Sequence, residues 1–385
     1  MNEQDIRINH LPCLTWNRLG VNHRSVPVKS GLEGAAKRME SGLDQEGIAS
    51  ETVTVSEAEA YADSLAHGIR GEKYVAGKTA IYMTQAFQTG LGGEFTDYIN
   101  TVAGDADIYR VAANARPARP VILNYDFGAG ADDAAVHVIV AGENSESTFL
   151  INYRSDKDAS GFSAVGTKVI LGKGAKLTLI KVNLLGEGFE QLDDTGAVAE
   201  ENAVFCFRQM ELGGAKTYSG CYVDQNGQKS EACIDSGYMV SEDHTLDLNY
   251  VTAQRGKKTV SNFNFKGVLQ DRARKTLRDT IDFRNGSAGS VGDEQEDVLL
   301  LDPTVVNKSV PVILCEEEDV DGRHGASIGR LSEDMLYYLE TRGLSEKEAT
   351  VMMVRGRLHS IAREIPDDET QSAIDAFISG QFGMD

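Results

Sequence analysis

"TKVILGKGAKLTLIKVNLLG", residues 167–186, holds two short runs of mainly apolar residues, separated by Gly172-Lys173-Gly174. Each run is too short for a helix of ordinary length, and each carries the β-branched and alternating pattern of a strand. Working outward, the same rhythm recurs in "AVHVIVA" (135–141), "STFLINYRS" (147–155), "AVFCFRQMEL" (203–212), "TLDLNYVTA" (245–253), "SNFNFKGVL" (261–269) and "TLRDTIDF" (276–283). No helical pattern of useful length interrupts them up to about residue 315. A doubly wound α/β fold needs a helix after each parallel strand and is therefore excluded. A sandwich, a barrel or a β-solenoid remains.

A loose internal echo favours the solenoid. "GKGAKLTL" (172–179), "LGGAKTYS" (212–219), "SEDHTLDL" (241–248) and "QDRARKTL" (270–277) each place a polar or glycine corner before a strand. Their centres lie about 40, 29 and 29 residues apart, as coils would if one carried an insertion.

Helical patterns flank this region. Upstream, "GLEGAAKRMESG" (31–42) and "SEAEAYADSLAHGIR" (56–70) read as helices, the second with a Ser56/Glu59 capping box. The prolines of "ARPARPVILNYDF" (115–127) end that pattern. Downstream, Ser332 caps a helix that Gly343 stops, Ser345 to Glu348 form a second capping box, and 367–382 is a last helix. The expected organisation is a helical region 1–116, a β core 117–330 and a helical region 331–385.

The 385 residues carry a net charge of −21, which argues against nucleic acid or an anionic membrane as partner. The acidic first residues read as no secretion leader, and no run of about 18 apolar residues suggests a membrane span. Five cysteines without a Cys-x-x-Cys pair point to reduced thiols in a cytoplasmic protein. "GEKYVAGKTAI" (71–81) mimics a phosphate-binding loop, but five residues rather than four separate Gly71 from Gly77. No Gly-x-Ser-x-Gly elbow suggests a hydrolase. Cys206, Cys221 and Cys233 lie in the strand region, either stacked on neighbouring coils or as small buried hydrophobes.

The densest chemistry is "VPVILCEEEDVDGRHGAS" (310–327). It gathers the thiol of Cys315, the imidazole of His324 and the carboxylates of Glu316, Glu317, Glu318, Asp319 and Asp321. Thiolate and imidazole suit iron, and Gly322 and Gly325 would let backbone approach closely. The plain alternative is a solvated acidic loop with an incidental histidine.

The chain resembles the SufB/SufD family of iron–sulfur cluster assembly proteins, on its SufD side. The resemblance rests on "DVLLLDPTVV" (297–306), "DVDGRHGASIGRL" (319–331) and "LYYLETRGLS" (336–345), with weaker likeness in "LPCLTWNRLGVN" (11–22) and "GVLQDRARKTLRDTI" (267–281). It implies a right-handed parallel β-helix between helical ends and a non-catalytic scaffold. ATP hydrolysis would lie in the partner SufC, an ABC-type ATPase gripped by the C-terminal helices, here through Tyr337, Leu339, Arg342 and Leu344. SufB, or a second copy of this chain, would dock at the β-helix end, with a cysteine desulfurase system acting indirectly. A transient cluster or iron would sit at that interface, with His324 at the family's histidine position and Cys315 as a weaker candidate. A flavin is left open. Two departures stand out: Gly322 occupies a position where SufD chains often carry cysteine, and Val305 matches the cysteine that SufB uses. The alternatives are a purely structural partner in the complex and a carbohydrate-active β-helix enzyme.

Overall fold

The computed structural model describes residues 4–70 and 87–383; the stretch 71–81, whose sequence mimics a phosphate-binding loop, lies outside them. Its centre is a parallel β-solenoid with two sheets. One stacks β6 (Val121–Phe127), β8 (Glu146–Ser155), β10 (Lys176–Leu184), β12 (Val204–Glu211), β14 (Glu231–Val240), β16 (Val260–Leu269), β18 (Ser290–Leu300) and β20 (Val320–Gly329). The other stacks β5 (Asp105–Val111), β7 (Asp132–Ala141), β9 (Ser160–Leu171), β11 (Gly188–Ala199), β13 (Lys216–Gln225), β15 (Thr245–Gln254), β17 (Arg274–Phe283) and β19 (Val306–Cys315). Each coil contributes one strand to each sheet. The short β3 (Lys37–Ser41) and β4 (Ile48–Thr54) pair antiparallel with β6 and β5 and close the first coil.

The repeat that builds the coil is shorter than the echo found from sequence. AANA (112–115), GENS (142–145), GKGA (172–175), EENA (200–203), GQKS (227–230) and GKKT (256–259) all form the same corner. The third residue of each has φ between +55 and +68. In all six, its N–H donates to a carbonyl one coil further on, as Asn144 does to Lys173 and Lys229 to Lys257. The fourth residue is small because it turns into the interior; Ala175, Ala203, Ser230 and Thr259 are fully buried. The 40-residue gap is therefore no insertion. "GKGAKLTL" opens β10 in one sheet, whereas the other three corners open β13, β15 and β17 in the other. Within that second sheet Lys216, Thr245 and Arg274 stand in register, 29 residues apart.

The N-terminal region is only partly helical. The helix expected over 31–42 is absent; its second half is β3, whose partner is β6. A favourable helical composition yields there to the bare edge of the first coil, which needs a partner. Helix α1 (Val55–Arg70) forms as expected, but its capping box lies two residues earlier: Glu57 N–H donates to Thr54 Oγ1 and Thr54 N–H to Glu57 Oε2. Glu59 is instead ion-paired with Lys168. Helices α1 and α2 (Gly93–Val102) cover the outer face of the β5–β11 part of one sheet through Ala58, Ala62, Phe95 and Ile99. Farther along that face lies the chain of residues 9–22. Arg278, fully buried, donates to Val21 O at 2.5 Å and pairs with Asp247 at 2.6 Å, and Asn9 donates to Asp247 at 2.7 Å.

The C-terminal helices are α3 (Glu333–Glu340), α4 (Glu346–Ala362) and α5 (Asp368–Gln381). The Ser345/Glu348 capping box is present with both of its bonds. Val354, Leu358 and Ile361 of α4 with Ile374 and Ile378 of α5 bury Ile180, Val182, Met210, Met239 and Val268 on the other sheet's outer face. These helices are therefore part of the core's cover: deleting 332–385 would bare that apolar face rather than leave an intact β core. None of the described helices is long and apolar enough to cross a membrane.

The corner geometry gives a testable sign. Lys229 holds a left-handed conformation that costs a side-chain-bearing residue about 1–2 kcal/mol, so Lys229→Gly should stabilise the fold by roughly 0.5–1 kcal/mol after glycine's entropic cost. Urea midpoints of variant and wild type measure this; destabilisation would mean that the corner carries no conformational strain.

Candidate functional site

Alternation along each strand sends every second side chain into the solenoid, and register stacks it on its counterpart one coil away. Most of these rows are apolar, but several layers are polar, including one in the middle and one at the far end. In the middle, Lys181 and Asp193 form an ion pair, both about 1% exposed. Gln209 donates to Ser219 at 2.7 Å, Tyr250 to Gln209 at 2.8 Å and Asn183 to Glu211 at 3.0 Å. Burial, with the nearby Asp193 charge, pushes the Glu211 carboxyl up to about 8. Above this layer Tyr250 stacks on Phe265 at 5.2 Å between ring centres, with Phe263 beside them.

The second polar layer lies at the far end. Lys275 pairs with Glu296 and donates to Ser309 at 3.0 Å, and Tyr238 donates to Glu296 at 3.2 Å. Beside them Asp279 of β17 and Glu294 of β18 face one another and are 2% and 3% exposed. Burial raises both carboxyls, and they hydrogen-bond to each other, so one of them keeps a proton. The last coil, β19 and β20, closes over them only partly. Pro311 stands in register over Asp279, and His324 stands over Glu294.

His324 was expected in a loop; it lies within β20, exposed on the inward row of the last coil. The acids that flank it in sequence are directed elsewhere. Glu316 pairs with Arg284, Glu317 accepts from Gly286 N–H at 3.0 Å, and Asp321 holds Arg323. The carboxyls nearest the His324 row come from residues 279 and 294 instead. Sequence reasoning missed both, although strand alternation put each on an inward position.

Cys315 ends β19 and is exposed, its Sγ donating to Glu317 O at 2.9 Å. Gly322 lies on the same inward row as His324, where an added Cβ would stand 2.9 Å from the Phe283 ring. The remaining thiols divide. Cys221 is buried in the core, whereas Cys206 and Cys233 sit in register on neighbouring coils and hydrogen-bond to each other. Elsewhere, at the corner before β15, ligand atoms of Glu242, Asp243 and His244 lie within 4.8 Å of one another on the surface.

The proposed partner residues of α3 also divide. Tyr337 is 70% exposed and Arg342 stacks over the Tyr338 ring, but Leu339 is buried and Leu344 half-buried. Leu339 therefore holds α3 in place, and the exposed apolar surface is made by Met335, Tyr337 and Tyr338.

Residues 128–357 match the family described as SUF system FeS cluster assembly, SufBD core domain. Among curated relatives, a SufBD-family iron–sulfur cluster assembly protein of Mycobacterium tuberculosis is 28% identical over 214 residues, which are 56% of this chain and 25% of that protein. The iron–sulfur cluster assembly protein SufD of Bacillus subtilis is 26% identical over 270 residues, 69% of this chain and 61% of that one. A SufBD-family protein of Methanothermobacter thermautotrophicus is 26% identical over 258 residues, 64% of this chain and 61% of the relative. The matches thus span less than two thirds of these relatives' own lengths.

Glu211 supplies a pH test of the polar interior. Its folded pKa is raised, so the folded state keeps a proton that the unfolded chain releases above about 4.5; the stability this gives is present in acid and lost as pH rises towards 8. Glu211→Gln stays neutral throughout. It should gain on the wild type by about 1.4 kcal/mol per pH unit between pH 5 and 7.5, read from urea midpoints. Parallel pH profiles would show that Glu211 is ionised in the fold.

Proposed function

The chain belongs to the SufBD family of iron–sulfur cluster assembly proteins, and from that membership we propose that it is a SufD-like scaffold of the SUF machinery. In this reading it docks through its last coil with a SufB-like partner and carries the SufC ATPase on its C-terminal helices. The observation that carries it is the open end of the solenoid. The first coil is closed by β3 and β4, whereas among the described residues nothing pairs with the outer edges of β19 and β20. Unpaired edge strands favour pairing with another chain, and a second solenoid end supplies edges of the same spacing. Pro311 removes one donor from the β19 edge, which tunes which partner edge fits.

His324 faces into that junction. Its imidazole is a ligand for iron or a nascent cluster, the cargo of assembly, once the ring is neutral. Helix α3 begins at Glu333, only a few residues after β20 ends at Gly329. A partner gripping Tyr337, Tyr338 and Arg342 is therefore connected to the His324 strand by a short, stiff path. The chain acts without ATP hydrolysis of its own, and a cytoplasmic setting keeps its five thiols reduced.

Co-expression with SufB and SufC tests the reading. His324→Ala should leave stability within about 0.5 kcal/mol, as for other exposed positions. It should lower iron and acid-labile sulfide in the purified complex several-fold, whereas Cys315→Ser should lower them much less. Normal cluster content in His324→Ala would leave the chain a structural partner only. Tyr337→Ala combined with Tyr338→Ala should weaken SufC binding by at least about tenfold, as loss of exposed aromatic anchors does. Unchanged binding would place the ATPase contact elsewhere.

A further inference from the structure

The carboxyl pair beneath His324 is expensive to build. Asp279 and Glu294 are almost wholly buried, and no other group donates to Asp279 Oδ1 or Glu294 Oε2 among the described residues. The neighbouring cation is already committed: Lys275 is paired with Glu296 and bonded to Ser309. Two buried acids without a cation cost several kcal/mol relative to apolar residues of similar volume. A Leu or Val row would continue the core that Leu277, Ile281 and Phe283 form on the same strand. The rings of Tyr250 and Phe263 stand in register beneath Asp279 and Glu294, between the pair and the polar layer deeper in the solenoid, to which the Tyr250 hydroxyl belongs.

We propose that Asp279, Glu294 and His324 form a binding site for a divalent transition-metal ion of the iron(II) class, at the mouth of the solenoid. The register places the donors together. Asp279 and Glu294 lie opposite each other in the seventh coil, and His324 stands directly over Glu294 in the eighth. His324 is exposed and close enough for its charge to bear on Asp279, and Pro311, in register over Asp279, has no N–H to compete for the carboxyl. One imidazole and two carboxylates suit iron(II), manganese(II) or cobalt(II), whereas copper(I) would call for thiolate or thioether, and the exposed thiol at this end, Cys315, bonds to its own corner. Water and partner groups from across the open end complete the coordination. This extends the proposed assembly role by giving this chain a place to hold the metal before sulfide arrives. It rests on that role only for the identity of the metal.

The test uses the single purified chain, so it stands apart from cluster assembly. Anaerobic titration with iron(II), and with cobalt(II) followed by its visible absorption, should show one site per chain. Glu294→Gln and Asp279→Asn preserve side-chain shape, and His324→Ala changes only an exposed residue. Each should weaken binding by more than about 100-fold, beyond the roughly 10–100-fold that the loss of an outer-shell residue costs. Glu242→Gln with His244→Ala removes the surface trio and should leave the affinity unchanged. The proposal is overturned if the chain binds neither ion, if Glu294→Gln and Asp279→Asn bind as the wild type does, or if the surface double variant abolishes binding. If a buried variant fails to fold by circular dichroism, His324→Ala decides the outcome. A chain that binds no ion alone while His324→Ala still empties the assembled complex would sink this site and leave the scaffold reading intact.

Discussion

Parallel in-register stacking is the constraint on which everything else in this molecule depends. Once strands of successive coils pair residue by residue, each inward side chain must be compatible with the one above and the one below. Apolar rows satisfy this easily, and aromatic rings do so by packing on one another, as Tyr125 and Tyr153 do in register on neighbouring coils, 5.8 Å apart between ring centres. Polar side chains are tolerated only where a neighbour or the facing sheet answers them, as Asp193 answers Lys181 and Glu296 answers Lys275. The left-handed corner turns serve the same constraint, because each corner N–H is satisfied by the coil beyond it.

The two ends and the two outer faces follow from this. A stack has two exposed edges, and this chain treats them differently. Antiparallel β3 and β4 cover the first coil, while the last coil leaves both strand edges and its inward row accessible. The outer faces are shared between the flanking regions. The N-terminal part covers one sheet with α1, α2 and the segment 9–22 held by Arg278; α4 and α5 cover the other. A segment such as 87–91 comes so near that Gly90 and Gly220 meet backbone to backbone, where a Cβ on Gly90 would stand 2.1 Å from Cys221 N. The flanking regions are thus fixed to the solenoid, which makes the polar mouth, the bare edges and the α3 surface parts of one rigid end.

The sequence-based reading of helices succeeded where an amphipathic face and a cap coincide, as in α4 with Ser345 and Glu348, and in α5. It failed at 31–42, where composition favours a helix but the first coil needs an edge partner. The Ser56/Glu59 box had the right spacing and the wrong place, because Glu59 is more strongly engaged by Lys168 than by any backbone N–H. The coil period was legible in GENS, GKGA, EENA, GQKS and GKKT, but those tetrapeptides share a conformation more than a composition. Asn, Gly and Lys all occupy the left-handed position, which hides the repeat from a search for similar letters.

What the sequence by itself determined is the class of fold: short strands without intervening helices, and helices at the ends. Period-two alternation also puts Asp279 and Glu294 on inward positions of their own strands, though sequence reasoning does not single them out. Only the tertiary structure decided that these two and His324 stand together at one end, while Glu316, Glu317 and Asp321, close to His324 in sequence, bond elsewhere. The reason is that alternation fixes the face of a strand but not its register against the next. Register depends on the length of every corner between them, including the longer one at 284–290, where the spacing between paired strands rises from 29 residues at Glu231 and Val260 to 31 at Val260 and Val291.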